Sequence, residues 1–402
     1  MDGYQRTLNL PDLIRKNSFF LFGPRGTGKS YLIRNTLKDI AIKIDLLRSS
    51  IQMRLLQDPS LLESMIRAEI RPGTADSAVV VVIDEVQKIP VLLDEVHRLI
   101  EEHGWRFLLT GSSARKLKSQ GVNLLAGRAW IAKMFPLTYA ELPHFDLDLY
   151  LRFGGLPAVV NSSDPIEQLD AYVSTFINEE IKAEGAIRKL PAFVEFLRLA
   201  ALSNGQLINF ANIARDAGVS APTVAGYFQI LEDTLVGFQL QPWKKPTSRK
   251  SISTAKFYFF DTGVVNTLAG TKHVDRNSNL YGNLFETWIA MELQAYLSYR
   301  RIKDKLYFWR TDDKIEVDFI IEDRVAIEVK STTKVSRSDL SGLAALKQDG
   351  LVAKYYVVSN DPLDRLLDEV HHLHWRTFMQ KLWRDELPGL MPRSPSYHNT
   401  RP

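Results

Sequence analysis

The segment Gly23-Pro-Arg-Gly-Thr-Gly-Lys29-Ser30 constrains this chain more than any other. It follows the apolar run Ser18 to Phe22, precedes residues at helical spacing, and fits G-x-x-x-x-G-K-[ST]. In that pattern the glycines let the backbone curl, so that its N–H groups and the N-terminus of the next helix face phosphate oxygens. A buried strand, a tight loop and a helix must therefore follow one another, which is the start of an α/β nucleotide-binding domain. Lys29 is expected to contact the β- and γ-phosphates of ATP and Ser30 the Mg²⁺, with Gly23, Pro24, Arg25, Gly26, Thr27, Gly28 and Tyr31 completing the cradle.

Short apolar segments then alternate with helical ones through about residue 145: Ser18 to Phe22, Ala41 to Leu46, Ala78 to Ile83, Arg106 to Leu109 and Ala129 to Met134. Such runs read as buried parallel strands. Val79 to Ile83 ends in Asp84 and Glu85, where a magnesium ligand and a water-activating base are wanted: Asp84 would hold Mg²⁺ through water and Glu85 would polarise the attacking water. The next strand ends in Thr110-Gly-Ser112-Ser113, offering Thr110 and Ser112 as hydroxyls beside the γ-phosphate. Arg128 is the candidate arginine finger toward a neighbouring subunit, with Arg115 as its rival; for either, an ordinary surface ion pair is the plainer reading.

Residues 146–262 read as a helical lid followed by a winged helix. Phe210 to Ala217 and Ala221 to Glu232 form the two helices, with Gly218 turning between them and Ser220 capping the second. Two strand-like segments, VGFQLQPW and AKFYFFD, flank the basic loop KKPTSRKSIST and read as the wing. Ser220, Thr223, Gln229, Lys244, Lys245, Arg249 and Lys250 could contact DNA, although packing between domains is nearly as good a reading. A third α/β domain covers residues 263–388, and the proline-rich, polar stretch 389–402 reads as a disordered tail.

Within that third domain, Asp318 lies on one strand-like segment, and Glu328 and Lys330 on the next, with a turn at Glu322 to Arg324. Side chains alternate along a strand, so Glu328 and Lys330 share a face that Asp318 can meet from the paired strand. Such a cluster can bind Mg²⁺ and leave the lysine to stabilise charge on phosphate. Glu316 points to the same face as Asp318 and could be a further ligand or a spectator. The bland alternative is a hairpin whose charges cover a solvent face. His371, His372 and His374 lack a further ligand group at metal-site spacing and read as packing residues.

Two resemblances are carried by these residues. GPRGTGKS, VVVVIDEVQKIP, FLLTGSSARKL, LLAGRAW and FPLTYAEL, in this order, resemble a widespread prokaryotic AAA-type ATPase family. YLRFGGLPAVV and KFYFFDTGVVNTL are similar to segments of the C-terminal domain of unknown function that such proteins carry. The resemblance spans nearly the whole chain and implies an ATP- and Mg²⁺-using enzyme that assembles as a homo-oligomer, a hexameric ring among the forms expected. The D-x(9)-E-x-K spacing of Asp318, Glu328 and Lys330 resembles the PD-(D/E)xK nuclease fold, with Glu286 at the place of that superfamily's helical carboxylate; the usual proline before the aspartate is replaced by Val317.

Composition bounds the rest. A surplus of 51 basic over 47 acidic residues is small, so DNA contact requires local patches. The absence of cysteine excludes disulfides and thiolate zinc sites. The longest apolar run, Ala78 to Ile83, is far short of the ~20 residues a membrane helix needs, and the cytoplasm is the expected compartment. Three readings stay open for the C-terminal half: a Mg²⁺-dependent nuclease, a DNA-remodelling motor without cleavage, and an inactive fold used for protein binding in a nucleotide-dependent switch.

Overall fold

The computed structural model describes residues 3–38, 40–111, 125–175, 190–245 and 249–391, with the side chain at 126 excepted. Ser112, Ser113, Arg115, part of the basic loop and most of the expected tail lie outside the described residues. The chain divides into two compact units. One comprises Met1–Leu137, Gly155–Leu197 and Ile213–Gly237; the other comprises Thr138–Gly154, Arg198–Asn212 and Phe238–Pro402.

In the first unit, β1 (Ser18–Phe22), β2 (Ala41–Asp45), β3 (Val80–Asp84), β4 (Arg106–Gly111) and β5 (Ala129–Lys133) form a sheet ordered β2-β3-β4-β1-β5. All four pairings are parallel. Parallel strands covered on both faces need continuous apolar runs, and SFFLF in β1 is buried throughout. Helix Leu92–His103 covers the sheet with Leu92, Leu93, Val96 and Leu99, at helical spacing, and ends at Gly104 in the left-handed conformation (φ 68°). These side chains join Phe20, Phe22, Ile83, Phe107 and Leu109 in one core. Because β4 lies between β1 and β3, the residues that follow all three strands share one edge of the sheet.

The second unit is built on eight strands: β6 (Gly237–Pro242), β7 (Lys256–Phe259), β8 (Leu306–Arg310), β9 (Glu316–Ile321), β10 (Val325–Lys330), β11 (Lys354–Ser359), β12 (Arg365–Leu367) and β13 (Val370–His374). Their order is β12-β13-β11-β10-β9-β8-β6-β7. β8 and β9, and β9 and β10, run antiparallel, whereas β10 and β11 are parallel, with helix Ser341–Gln348 making the crossover. Helix Asn279–Tyr299 precedes β8. The core of this unit includes Trp243, Trp309, Val317, Ile320, Ala326, Leu346 and Val357.

The two helices expected near residue 210 form, as Phe210–Asp216 and Ala221–Asp233; Ser220 Oγ accepts the Thr223 N–H at 3.3 Å, and proline occupies the first turn of the second helix. The strands after them differ from a free-standing wing. β6 and β7 are hydrogen-bonded neighbours, but β6 also pairs in parallel with β8, so both belong to the eight-stranded sheet. All four residues of β7 are buried, which a half-solvated wing does not allow. Two of the basic residues beside these strands make ion pairs, Lys245 with Asp323 at 3.0 Å and Lys250 with Asp312 at 3.2 Å.

Two further arrangements explain sequence segments that carried no evident chemistry. Asp261 is fully buried and caps helix Thr262–Ala269 by accepting the Val264 N–H at 3.1 Å. Gly154 approaches this carboxylate so closely that a Cβ there would lie 2.0 Å from Asp261 Oδ1. Thr262 and Asn266 donate to the carbonyls of Tyr150 and Leu151 at 2.7 and 3.0 Å, locking YLRFG against FDTGVVN. In the same unit Glu292, buried, accepts the Tyr139 N–H (2.7 Å) and the indole N–H groups of Trp383 (2.7 Å) and Trp288 (3.1 Å). The histidines pack: His372 is buried in β13, His371 stacks on Tyr356 with ring centroids 5.0 Å apart, and His374 caps helix Trp375–Trp383.

Candidate functional site

The loop between β1 and helix Lys29–Leu37 has the conformation that phosphate binding requires. Gly26 and Gly28 take left-handed angles, φ 75° and 92°, which curl the backbone ahead of the helix. Thr27 Oγ1 donates to the Pro24 carbonyl at 2.9 Å and fixes the curl. The Lys29 ammonium is buried and donates to the carbonyls of Gly23 at 2.6 Å and Pro24 at 3.1 Å, holding a positive charge inside the loop. Arg6 braces the outside, donating to the Thr27 carbonyl at 2.9 Å and the Phe135 carbonyl at 2.7 Å. Tyr31 is half-exposed and lies against Gly3, while a Cβ at Gly26 would meet the Tyr172 ring at 3.4 Å.

Asp84, at the end of β3, is buried and collects hydroxyls from both sides. Thr110, at the end of β4, donates to one carboxylate oxygen, and Ser30 Oγ lies 3.5 Å from the other. The Lys43 ammonium is 3.7 Å from that second oxygen. Glu85 takes a left-handed conformation (φ 63°), uncommon for a residue with a side chain and typical of strained functional positions. Its backbone N–H donates to Thr110 Oγ1 at 3.1 Å, and its carboxylate accepts from Gln87 Nε2. The structure thus brings Lys29, Ser30, Asp84, Glu85 and Thr110 to one sheet edge. The site also contains Arg6, Lys43 and Gln87, which sequence reasoning missed. Gln87 could have been suspected from its place two residues after Glu85, whereas nothing in the spacing signals Arg6.

Arg128 lies just before β5, partly exposed, and pairs with Glu101, which lowers the Glu101 carboxyl's pKa through that hydrogen bond. This is the surface ion pair that was the plainer expectation for an exposed arginine.

In the second unit, β9 and β10 are buried on both faces, so Asp318 and Glu328 are not the solvent-facing charges of an ordinary hairpin. Asp318 Oδ2 accepts the Val329 N–H at 2.7 Å, and Lys330 Nζ donates to Glu328 Oε1 at 2.6 Å. Glu328 Oε2 is buried with no hydrogen-bond partner among the described residues. Burial pushes the Asp318 carboxyl up to about 7, with Glu286 adding to the shift and Lys256 and Lys330 opposing it. Burial, and then Asp318 itself, also push Glu328 upward. Two buried carboxyls that resist ionising side by side form a place that a divalent cation would relieve. Hard oxygen donors with an unpartnered oxygen fit Mg²⁺, so Asp318 and Glu328 could hold one.

Glu286 sits differently from the expectation of a third metal ligand. Its Oε1 accepts from Lys256 Nζ at 3.0 Å and from the Tyr258 hydroxyl at 2.5 Å. Lys256 also reaches Glu316 Oε1 at 2.5 Å, and Arg310 pairs with the other Glu316 oxygen. Burial alone would lower the Lys256 pKa, but Glu286, Tyr258, Glu316 and Asp318 raise it, so this ammonium stays charged. Among the described residues, the one group of three or more acids and histidines whose ligand atoms all lie within 4.8 Å is Glu63, Glu102 and His103. The ligand atoms of Glu286, Asp318 and Glu328 therefore do not all lie within 4.8 Å of one another, although Glu286 acts electrostatically on both of the other carboxyls. The Glu63 group is already neutralised by Arg98 and Arg67, which hold the Glu63 pKa near about 2. The sequence signal for Lys256 was a lone lysine in an otherwise apolar strand.

Comparison with known proteins agrees with the geometry of the first unit. Residues 15–143 match a family described as an AAA domain. Residues 144–275 and 281–377 match two domains of unknown function, DUF8612 and DUF4143. An uncharacterized protein of Mycobacterium tuberculosis is 29% identical over 349 residues, covering 83% of this chain and 75% of the relative. An uncharacterized protein of Haemophilus influenzae is 22% identical over 367 residues, covering 83% of this chain and 88% of the relative. One of Methanocaldococcus jannaschii is 22% identical over 330 residues, with 72% and 71% covered. Residues 15–143 are thus an AAA-type P-loop domain followed by regions to which no activity is assigned. Among the described residues no helix is long and apolar enough to cross a membrane.

Proposed function

We propose that this chain binds and hydrolyses ATP with Mg²⁺ at the first unit's sheet edge, and that the nucleotide state governs DNA binding or processing by its C-terminal half. One observation carries the ATPase reading: the buried Asp84 carboxylate links the Ser30 hydroxyl, in the first turn of the helix after the glycine loop, to the Thr110 hydroxyl on the neighbouring strand. Loop amides and Lys29 take the phosphates, Lys29 exchanging the carbonyls of Gly23 and Pro24 for phosphate oxygens. Ser30 directly and Asp84 through water would hold the magnesium, which would neutralise charge on the phosphate oxygens. Glu85, released from Gln87, orients and polarises the attacking water. Arg128 is the proposed finger toward a second copy in a homo-oligomer, a ring being the form that would place it there.

The DNA reading rests on the second unit. A helix, three antiparallel strands, a crossover helix and a parallel strand support a nuclease-like core, with Asp318 and Glu328 buried on β9 and β10 and Lys330 partly exposed beside Glu328. Lys244, Lys245, Arg249 and Lys250 would supply phosphate contacts in this unit, and Ser220, Thr223 and Gln229 are separate candidates in the first. A motor that remodels DNA without cutting it is the second reading, favoured by the engagement of Glu286 with Lys256 and Tyr258.

ATP turnover should be measured with and without branched, duplex and single-stranded DNA, alongside Mg²⁺-dependent cutting by the wild type and by Glu328→Ala. Cutting lost in Glu328→Ala supports the nuclease, and stimulated turnover with intact DNA supports the motor. Turnover indifferent to every DNA, with no cutting, removes the DNA role and leaves a nucleotide switch.

A further inference from the structure

We infer that Lys256 is a built-in cation occupying the place of a second metal, so that a centre of four carboxylates accepts a single divalent ion, on Asp318 and Glu328. This rests on the reading of that centre as a divalent-metal site. The four acids fall into two pairs with opposite circumstances. Glu286 and Glu316 are bridged by the Lys256 ammonium, at 3.0 and 2.5 Å. Tyr258 donates to the same Glu286 oxygen at 2.5 Å, and Arg310 holds the remaining Glu316 oxygen. Glu286 Oε1 and both Glu316 oxygens are thus taken by donors of the protein itself, and Lys256 is only 4% exposed, so water cannot readily replace it. The ammonium also lies 5.4 Å from the centre of the Phe308 ring, whose face favours a cation.

Asp318 and Glu328 form the other pair. Glu328 is 4% exposed, and its Oε2 has no hydrogen-bond partner among the described residues. Lys330 covers only Oε1 of that carboxylate, at 2.6 Å. A buried acceptor left unmatched is costly unless something binds it, and a hard divalent cation is the species two adjacent carboxylates prefer. The charge balance points the same way. Lys256, Lys330 and Arg310 offset all but one of the negative charges of Glu286, Glu316, Asp318 and Glu328, when all four are ionised. One divalent ion is then enough, and a second would have to sit against a trapped ammonium.

The test is the stoichiometry of Mn²⁺ bound to the nucleotide-free, full-length protein, read by electron paramagnetic resonance. Ions that disappear in Asp318→Asn are assigned to this centre. The wild type should hold one such ion, and Lys256→Met, which removes the charge bridging Glu286 and Glu316, should hold two. Tyr258→Phe keeps the ammonium and should still hold one. Two ions in the wild type, or one in a folded Lys256→Met, overturns the role of Lys256 while the metal site stands. No ion sensitive to Asp318→Asn overturns the metal reading itself. The wild-type and Tyr258→Phe counts remain decisive if Lys256→Met does not fold.

Discussion

The hydroxyl of Thr110 ties its strand to Asp84 on the next one: it donates to Asp84 Oδ1 and at the same time accepts the Glu85 N–H at 3.1 Å. Thr110→Val keeps the shape but removes both hydrogen bonds. An unmatched buried polar group costs ~1–3 kcal/mol, so the Asp84 carboxylate and the Glu85 backbone should lose their fixed positions. ATP turnover should fall about tenfold, with nucleotide affinity little changed. Unaltered steady-state turnover in Thr110→Val would show that this hydroxyl has no part in the chemistry.

Binding and hydrolysis should separate in two other variants. Lys29→Ala removes the loop's buried charge, and hydrogen bonds to charged groups are worth ~1.5–3 kcal/mol, so ATP affinity should drop ~10- to 100-fold by calorimetry. Glu85→Gln should retain ATP, because Gln87 and the backbone hold its position, yet lose turnover by ~10²- to 10⁴-fold, the usual contribution of a general base. Normal turnover in Glu85→Gln would remove Glu85 as the base.

Arg128 offers a test of assembly. If its guanidinium leaves Glu101 to act on a neighbour's nucleotide, turnover per chain should rise with protein concentration, and Arg128→Ala should lower it by ~10³-fold without weakening ATP binding. Should Arg128→Ala match the wild type at every concentration, the Glu101 ion pair is its whole role.

Gly154 should tolerate no side chain. Its backbone angles, φ 75° and ψ −167°, are essentially closed to other residues, and a Cβ would lie 2.0 Å from Asp261 Oδ1. Gly154→Ala should cost about 3 kcal/mol or more from strain and overpacking together. Gly73→Ala, at φ 83° with nothing within 4 Å, should cost only the backbone strain, ~1 kcal/mol. Thermal unfolding of the pair provides the check, equal losses being the adverse result.

Glu292 makes a signed prediction about pH. Burial pushes its pKa from 4.5 to about 8, although the donors on Tyr139, Trp383 and Trp288 pull it down. The folded state therefore binds this proton more tightly than the unfolded one. The stability gained from it is full below pH 4.5, is lost as pH rises toward 8, and is absent above. Glu292→Gln removes this titration, so its melting temperature relative to the wild type should rise between pH 5 and pH 8. A difference that is flat across that range would show that the carboxyl is already ionised in the folded protein.

The sequence made the first site legible because its parts are contiguous or end a strand: a glycine loop, two acids after an apolar run, a hydroxyl after the next. The order of the five strands was not legible there and comes from the structure. The second unit was less legible. AKFYFFD reads as one strand of a wing, and only the pairing of its neighbour β6 with β8, more than sixty residues further on, makes it part of a large buried sheet. Glu286 looked like a ligand because its position matched a motif, yet its charge is claimed by Lys256, thirty residues earlier and on no motif. Pairings between distant buried charges leave no periodic trace in a chain.

The passage of the chain back and forth between its units has a practical side. The stretch 138–154 serves the later unit, and 155–197 returns to the earlier one before 198–212 departs again. No single cut yields either body whole: severing the chain after residue 137 removes the helices that complete the nucleotide-binding unit. Loss of ATP binding in such a fragment would reflect missing architecture rather than missing catalytic groups, so these two bodies must be dissected by point substitution rather than by truncation.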